Sequence, residues 1–212
     1  MFANFAEHLS PDQLHLFHSL DTPTNIQAFL DQVPYSAENA NRCPLRVLQD
    51  DVAHCLDGAL FAAAALRRIG HPPRVIDLLP EPGRDDDHVL AIYQRDGHYG
   101  AIAKSNFAGL RFREPVYRSL RELAMSYFED FFNVEGEKTL RGYTRPLDLK
   151  TMDHSGWMWR DNGVDAVENR LKELKVIPLL TAELASNLSL VDRLSYESGM
   201  LGVNEAGLFK LR

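Results

Sequence analysis

Two residues in this chain have the types and positions to form a nucleophile and its base. Cys55 stands where the alanine-rich run CLDGALFAAAALRRIG should open a helix, and His88 stands where the apolar run HVLAIY should open a strand. A thiol at a helix N-terminus faces unpaired N–H groups and the positive end of the macrodipole, which favour its thiolate. The run Asp85, Asp86 and Asp87 leads directly into His88. Nearby carboxylates raise a histidine's pKa and would stabilise an imidazolium beside that thiolate, although such a run also reads as a solvated loop tip. Packing is the competing use of Cys55, because a free cysteine on a nearly all-apolar helix is commonly a core residue. His54 adjoins Cys55 and points elsewhere on a regular backbone, and His98 lies at the far end of its hairpin. A zinc site from His54, Cys55, Asp57 and His88 lacks the paired spacings C-x-x-C or H-x-x-x-H. No metal or other cofactor is expected, and no phosphate-binding glycine motif or G-x-S-x-G elbow occurs.

The elements that must hold this pair follow from local pattern. Helix propensity is maximal at Ala62–Ala65, Arg67 and Arg68 suit a C-terminal end, and Gly70 precedes Pro72 and Pro73, so the helix should span about 55–69. Residues 74–79, 88–93 and 98–104 read as strands, with Asp96-Gly97 as a hairpin turn. A helix followed by an antiparallel sheet packed on it is an α+β arrangement. Upstream, Ser10-Pro11-Asp12 and Thr22-Pro23-Thr24 open two short helices, while residues 35–50 look irregular. Downstream, 114–133 has the apolar spacing of one amphipathic helix, and 140–149 is extended, with Pro146 restricting it to a sheet edge. Trp157 and Trp159 should face opposite ways in an extended segment before a helix at about 164–174, and the tail from Val176 to Arg212 should wrap the domain in short helices. One domain is expected over 1–212: a helical segment to residue 50, the Cys/His core over 51–107, and a helical and irregular elaboration over 108–212.

The combination Cys-x-Asp-Gly-Ala, opening a helix that ends Leu-x-x-x-Gly, then a strand, a His-led strand and a hairpin partner, resembles the transglutaminase-like branch of the papain-type cysteine enzymes. The resemblance covers roughly residues 45–107. It implies a transglutaminase-like (cysteine-proteinase) fold, with a core helix on a small antiparallel sheet and extra helices at both ends. It also implies that Cys55 is the acyl nucleophile, His88 its base, and a third side chain on the next strand the group that orients the imidazole. The family's aspartate is absent there. With a two-residue turn, Arg95 pairs with His98 and His88 faces Ser105; with a bulged three-residue loop, it faces Lys104. Asn106 could orient the ring as an asparagine does in papain-like triads, with Ser105 as the weaker acceptor. Gln49, six residues before Cys55, has the spacing of the oxyanion-hole glutamine in papain-like enzymes. The implied activity is acyl transfer or amide hydrolysis on peptide or protein amides. The alternative is a catalytically inactive transglutaminase-like scaffold that binds a protein partner, which the missing aspartate favours.

Composition narrows the partners. The chain of 212 residues carries a formal charge of -7 at pH 7, and its Lys and Arg are scattered among acids, which disfavours nucleic acid and anionic membrane surfaces. No run of about 18 apolar residues and no secretory n- and h-regions are visible, so the sequence predicts a cytoplasmic protein. Its two cysteines, Cys43 and Cys55, are expected to be free thiols.

Overall fold

The structure is a computed structural model that describes residues 5–210. Two helices open it where proline at the first turn and a hydroxyl cap prescribe them. In α1 (Pro11–Ser19), Ser10 Oγ accepts the Gln13 N–H while the Gln13 side chain accepts the Ser10 N–H, so two otherwise unpaired donors are satisfied reciprocally. In α2 (Pro23–Gln32), Thr22 caps in the same sense. The stretch expected to be irregular contains a further short helix, α3 (Pro44–Asp50), again started by a proline. The central helix α4 spans Cys55–Arg68, and Gly70, at φ +95°, ends it while the His71 N–H reaches back to the Leu66 carbonyl.

Strands β1 (Arg74–Pro80), β2 (His88–Arg95) and β3 (His98–Ile102) follow in antiparallel succession. Arg95 pairs with His98, and Asp96 and Gly97 both have positive φ, 50° and 76°, as a two-residue type I′ turn requires. The sheet is larger than the small one expected. It has seven strands, with β4 (Arg113–Tyr117) beside β3, β5 (Leu140–Thr144) and β6 (Leu147–Asp148) beside β1, and β7 (Val176–Pro178) outside β5. All its pairings are antiparallel. The fold is therefore mixed α+β.

The segment 114–133 is not one helix. Its start pairs with β3 as β4, and a shorter helix α5 (Leu120–Met125) begins at Ser119, whose hydroxyl accepts the Glu122 N–H, before a 3-10 turn at Phe128–Asp130. Nor is 140–149 an edge: β5 lies between β1 and β7, and Pro146 falls between β5 and β6, where no ladder N–H is needed. The tryptophan segment is a turn that follows a 3-10 helix at Leu149–Ser155, not extended. Trp157 is in the core, and Trp159 is half-buried and stacked on His8. Helix α6 (Asp161–Lys172) follows, and the tail carries α7 (Ala182–Ser186) and α8 (Arg193–Gly199).

Both sheet faces are covered. On one, Val75, Val89, Ala91 and Tyr93 pack with Leu60, Phe61 and their neighbours on α4, and with α2 and α6. On the other, Ile76, Leu78, Leu90 and Ile92 pack against Leu123, Tyr127, Phe131 and Leu140. At about 1.5–3 kcal/mol for each fully buried large apolar side chain, both layers contribute heavily to the fold. Close approach fixes α4 on the sheet. A Cβ at Gly58 would lie 2.2 Å from Lys104 Cβ, so only glycine fits there. Lys104 in turn donates its ammonium to the Leu30 carbonyl at 2.9 Å and to the Val33 carbonyl at the end of α2.

Candidate functional site

Cys55 is the first residue of α4, and its surroundings are set by the cap before it. His54 Nδ1 accepts the Leu56 N–H (3.2 Å), while the buried Asp57 carboxylate accepts the N–H of His54 (3.1 Å) and of Arg42 (2.7 Å). The Cys55 N–H faces the phenol oxygen of Tyr35. Donors that would stabilise a thiolate at this helix start are thus already occupied by the side chains of Tyr35, His54 and Asp57. The thiol is half-buried and points toward the entry of β2, with Sγ 3.9 Å from the Asp87 carbonyl. Burial pushes its pKa up, and the charges of Asp87, Asp77 and Asp57 push it further the same way, partly opposed by the Val89 backbone N–H. Cys55 is a thiol at neutral pH, the reverse of what its helix-terminal position predicts.

Asp77 is the residue that sequence reasoning missed. It interrupts the apolar strand RVIDLL on the same face as Val75, is 4% exposed, and its Oδ1 has no hydrogen-bond partner among the described residues. A lone carboxylate inside an apolar strand was the signal available for it. Its carboxyl meets that of Asp87, which lies exposed at the start of β2. Burial first, then the adjacent Asp87 charge, holds Asp77 well above the ordinary carboxylate range. Together with Tyr35, His54, Cys55 and Lys172 these two carboxyls line a cavity of about 300 Å³. His54 is neutral there, pushed down to about 4, mainly by burial and then by the Arg42 charge.

His88 is elsewhere. Along β2 the side chains alternate, with Val89, Ala91 and Tyr93 toward α4, and Leu90 and Ile92 toward the opposite layer. His88 shares the second set's face, and its Nε2–H donates to the Leu110 carbonyl at 2.7 Å, a bond that requires the proton on Nε2. It is 4% exposed and pushed down to about 4 by burial, and the Asp85–Asp87 run does not raise it as expected. The structure therefore does not bring Cys55 and His88 together. Ser105 is buried near His88, in register with it if the β2–β3 ladder is continued, but its Oγ accepts the Phe107 N–H. Asn106 spends both ends of its carboxamide on the Asn204 backbone. His88, Ser105 and Asn106 line a separate cavity of about 40 Å³. Gln49 is exposed on α3 and does not line the cavity over Cys55.

No family model matches this sequence, and no curated protein matches it. Among the described residues no group of three or more His, Cys, Asp or Glu side chains is placed to hold a metal ion, and no helix is long and apolar enough to cross a membrane. Cys43 and Cys55 are both free, and burial pushes the Cys43 thiol up to about 12.

Proposed function

We propose that this chain is a binding protein on a transglutaminase-like scaffold, in which the cavity over Cys55 receives a segment of a peptide or protein partner and no acyl transfer takes place. The observation that carries this reading is the His88 imidazole, which is neutral, buried and bonded to Leu110 on the sheet face opposite α4. A cysteine enzyme needs its base within hydrogen-bond reach of the thiol, or one water away, and needs an environment that favours thiolate. Here the groups around Sγ are carboxyls, and the residues that would orient an imidazole are engaged with backbone. The resemblance over residues 45–107 supports the scaffold half of the reading.

Alkylation of Cys55 by iodoacetamide, followed by intact mass from pH 6 to pH 10, tests it. The expected rate rises only above the ordinary cysteine pKa of about 8.5 and is the same in His88→Ala. Cys55→Ser assigns the signal, since Cys43 is sealed at 1% exposure. A reactive plateau at neutral pH that disappears in His88→Ala would overturn the reading and restore the enzyme.

A further inference from the structure

The chain's own tail occupies the mouth of both cavities, and the way it is held identifies what the groove recognises. After α8 the tail is tied to the body by the Gly199 carbonyl, which accepts the Ala108 N–H, and by Gly199 itself, where a Cβ would lie 2.5 Å from the Phe132 ring. Beyond Gly202, at φ +72°, it turns into the groove. There the Asn106 carboxamide donates Nδ2–H to the Asn204 carbonyl (2.9 Å) and accepts the Asn204 N–H on Oδ1 (2.8 Å). A carboxamide presents one donor and one acceptor as a peptide group does, so this pairing reads main chain, whatever the side chain. Asn204 adds its own amide, donated to the Tyr35 carbonyl at 3.0 Å. Three residues on, Gly207 lies against Tyr35, where a Cβ would stand 3.1 Å from the ring and 3.4 Å from Asn106 Nδ2. Ala206, Gly207 and Leu208 line the cavity over Cys55, while Gly207 and Phe209 line the one beside His88.

Asn106 is only 6% exposed, and its two strong bonds are both to this segment. A buried carboxamide that satisfies itself on a passing main chain is a recognition element for a peptide backbone. We infer that the groove between Tyr35 and Asn106 is a receptor for a short peptide turn of the pattern Asn-x-x-Gly followed by apolar residues, filled at rest by residues 204–209 of the same chain, in which Asn204 caps a 3-10 turn at Glu205–Gly207, and which an incoming segment must displace. The inference rests on the reading of this site as one that binds. A tethered ligand has an effective concentration on the order of millimolar, so a free peptide competes only when the tether is weakened.

The test keeps the full chain and alters only the tail. Asn204→Pro removes the N–H that Asn106 accepts and the side-chain amide donated to Tyr35, at a φ of -81° that proline adopts easily. Gly207→Val adds a side chain against Tyr35. A fluorescein-labelled synthetic peptide of residues 202–210 is titrated into the wild type and into the Asn204→Pro/Gly207→Val chain, with anisotropy as the readout and thermal melting as the check that each is folded. The expected result is binding at least tenfold tighter to the double variant, lost when Asn106→Leu is added and absent for a scrambled peptide. Iodoacetamide should also reach Cys55 severalfold faster in the double variant. Equal binding to both chains, binding that ignores Asn106, or no binding to a folded double variant would overturn the inference. A thiolate-like, His88-dependent alkylation profile combined with Asn106-dependent peptide binding would retire the proposed function and leave the receptor.

Discussion

The two faces of the central sheet are both covered by apolar layers and carry opposite polar chemistry. Toward α4, Cys55, Asp77 and Asp87 line an acidic cavity. On the far side, His88 is a neutral, hydrogen-bonded core residue on the face of Leu90 and Ile92, bonded to Leu110. One residue of strand register separates Asp87 from His88, and that single step decides which of the two lines the cavity over the thiol. A cysteine at a helix start and a histidine at a strand start make a catalytic pair only when alternation turns both to the same side.

The largest expected effect sharpens the far face. His88 is held at about 4 against an ordinary value near 6.5, so between those pH values the unfolded chain binds more protons than the folded one. Stability contributed by neutral His88 is complete above pH 6.5 and is lost as pH falls toward 4, by about 3 kcal/mol. His54, shifted likewise, adds a slope of the same sign. Asp57 and Asp85, whose carboxyls burial holds at about 7 and about 6, slope the opposite way, so the His88 contribution is read as the difference between wild type and His88→Gln, which can still donate to the Leu110 carbonyl, in urea unfolding at pH 7 and pH 5: the wild type should lose more stability on acidification than the variant. An unchanged slope in that variant would mean that His88 is not a buried neutral group.

The near face is broken most simply at its tightest contact. Gly58→Ala forces a Cβ into Lys104 and should cost about 1–3 kcal/mol in chemical denaturation, with the loss of the close fit that seats the Cys55 end of α4 on the sheet. A neutral result would show that α4 can lift away from β3 freely.

A smaller effect inverts the comparison. Asp87→His puts an imidazole at the cavity mouth on the thiol's side and removes a carboxylate that raises the Cys55 pKa. Alkylation at pH 7 should rise about tenfold, equivalent to about 1.4 kcal/mol, while Leu90→His, on the far face, should leave the rate at its wild-type value. If the Asp87→His chain reacts no faster, the assignment of faces is wrong.

Much of the framework was legible in residues. The caps at Ser10 and Thr22, the Cys55 helix with its Gly70 stop, and the Asp96-Gly97 turn all specify their structures locally, and the observed pairing of Arg95 with His98 follows from the turn chemistry. The face of His88 was not legible for a physical reason. Val89 to Tyr93 is an unbroken apolar run because both faces of β2 are covered, so no polar alternation marks which side looks at α4. The helix read over 114–133 failed differently, since the Ser119-x-x-Glu122 capping signal inside it marks a later start and leaves Arg113–Tyr117 free to pair with β3. The spent carboxamide of Asn106 could not be foreseen, because its partner Asn204 is 98 residues away.

The separation of Cys55 from His88 is tested most directly by ¹⁵N NMR of the His88 ring across a pH titration, in the wild type and in Cys55→Ala. The Nε2–H tautomer should persist, neutral, from pH 8 to about pH 5, with the same shifts in both proteins. An imidazolium signal at neutral pH that vanishes in Cys55→Ala would contradict the account and establish a thiolate–imidazolium pair.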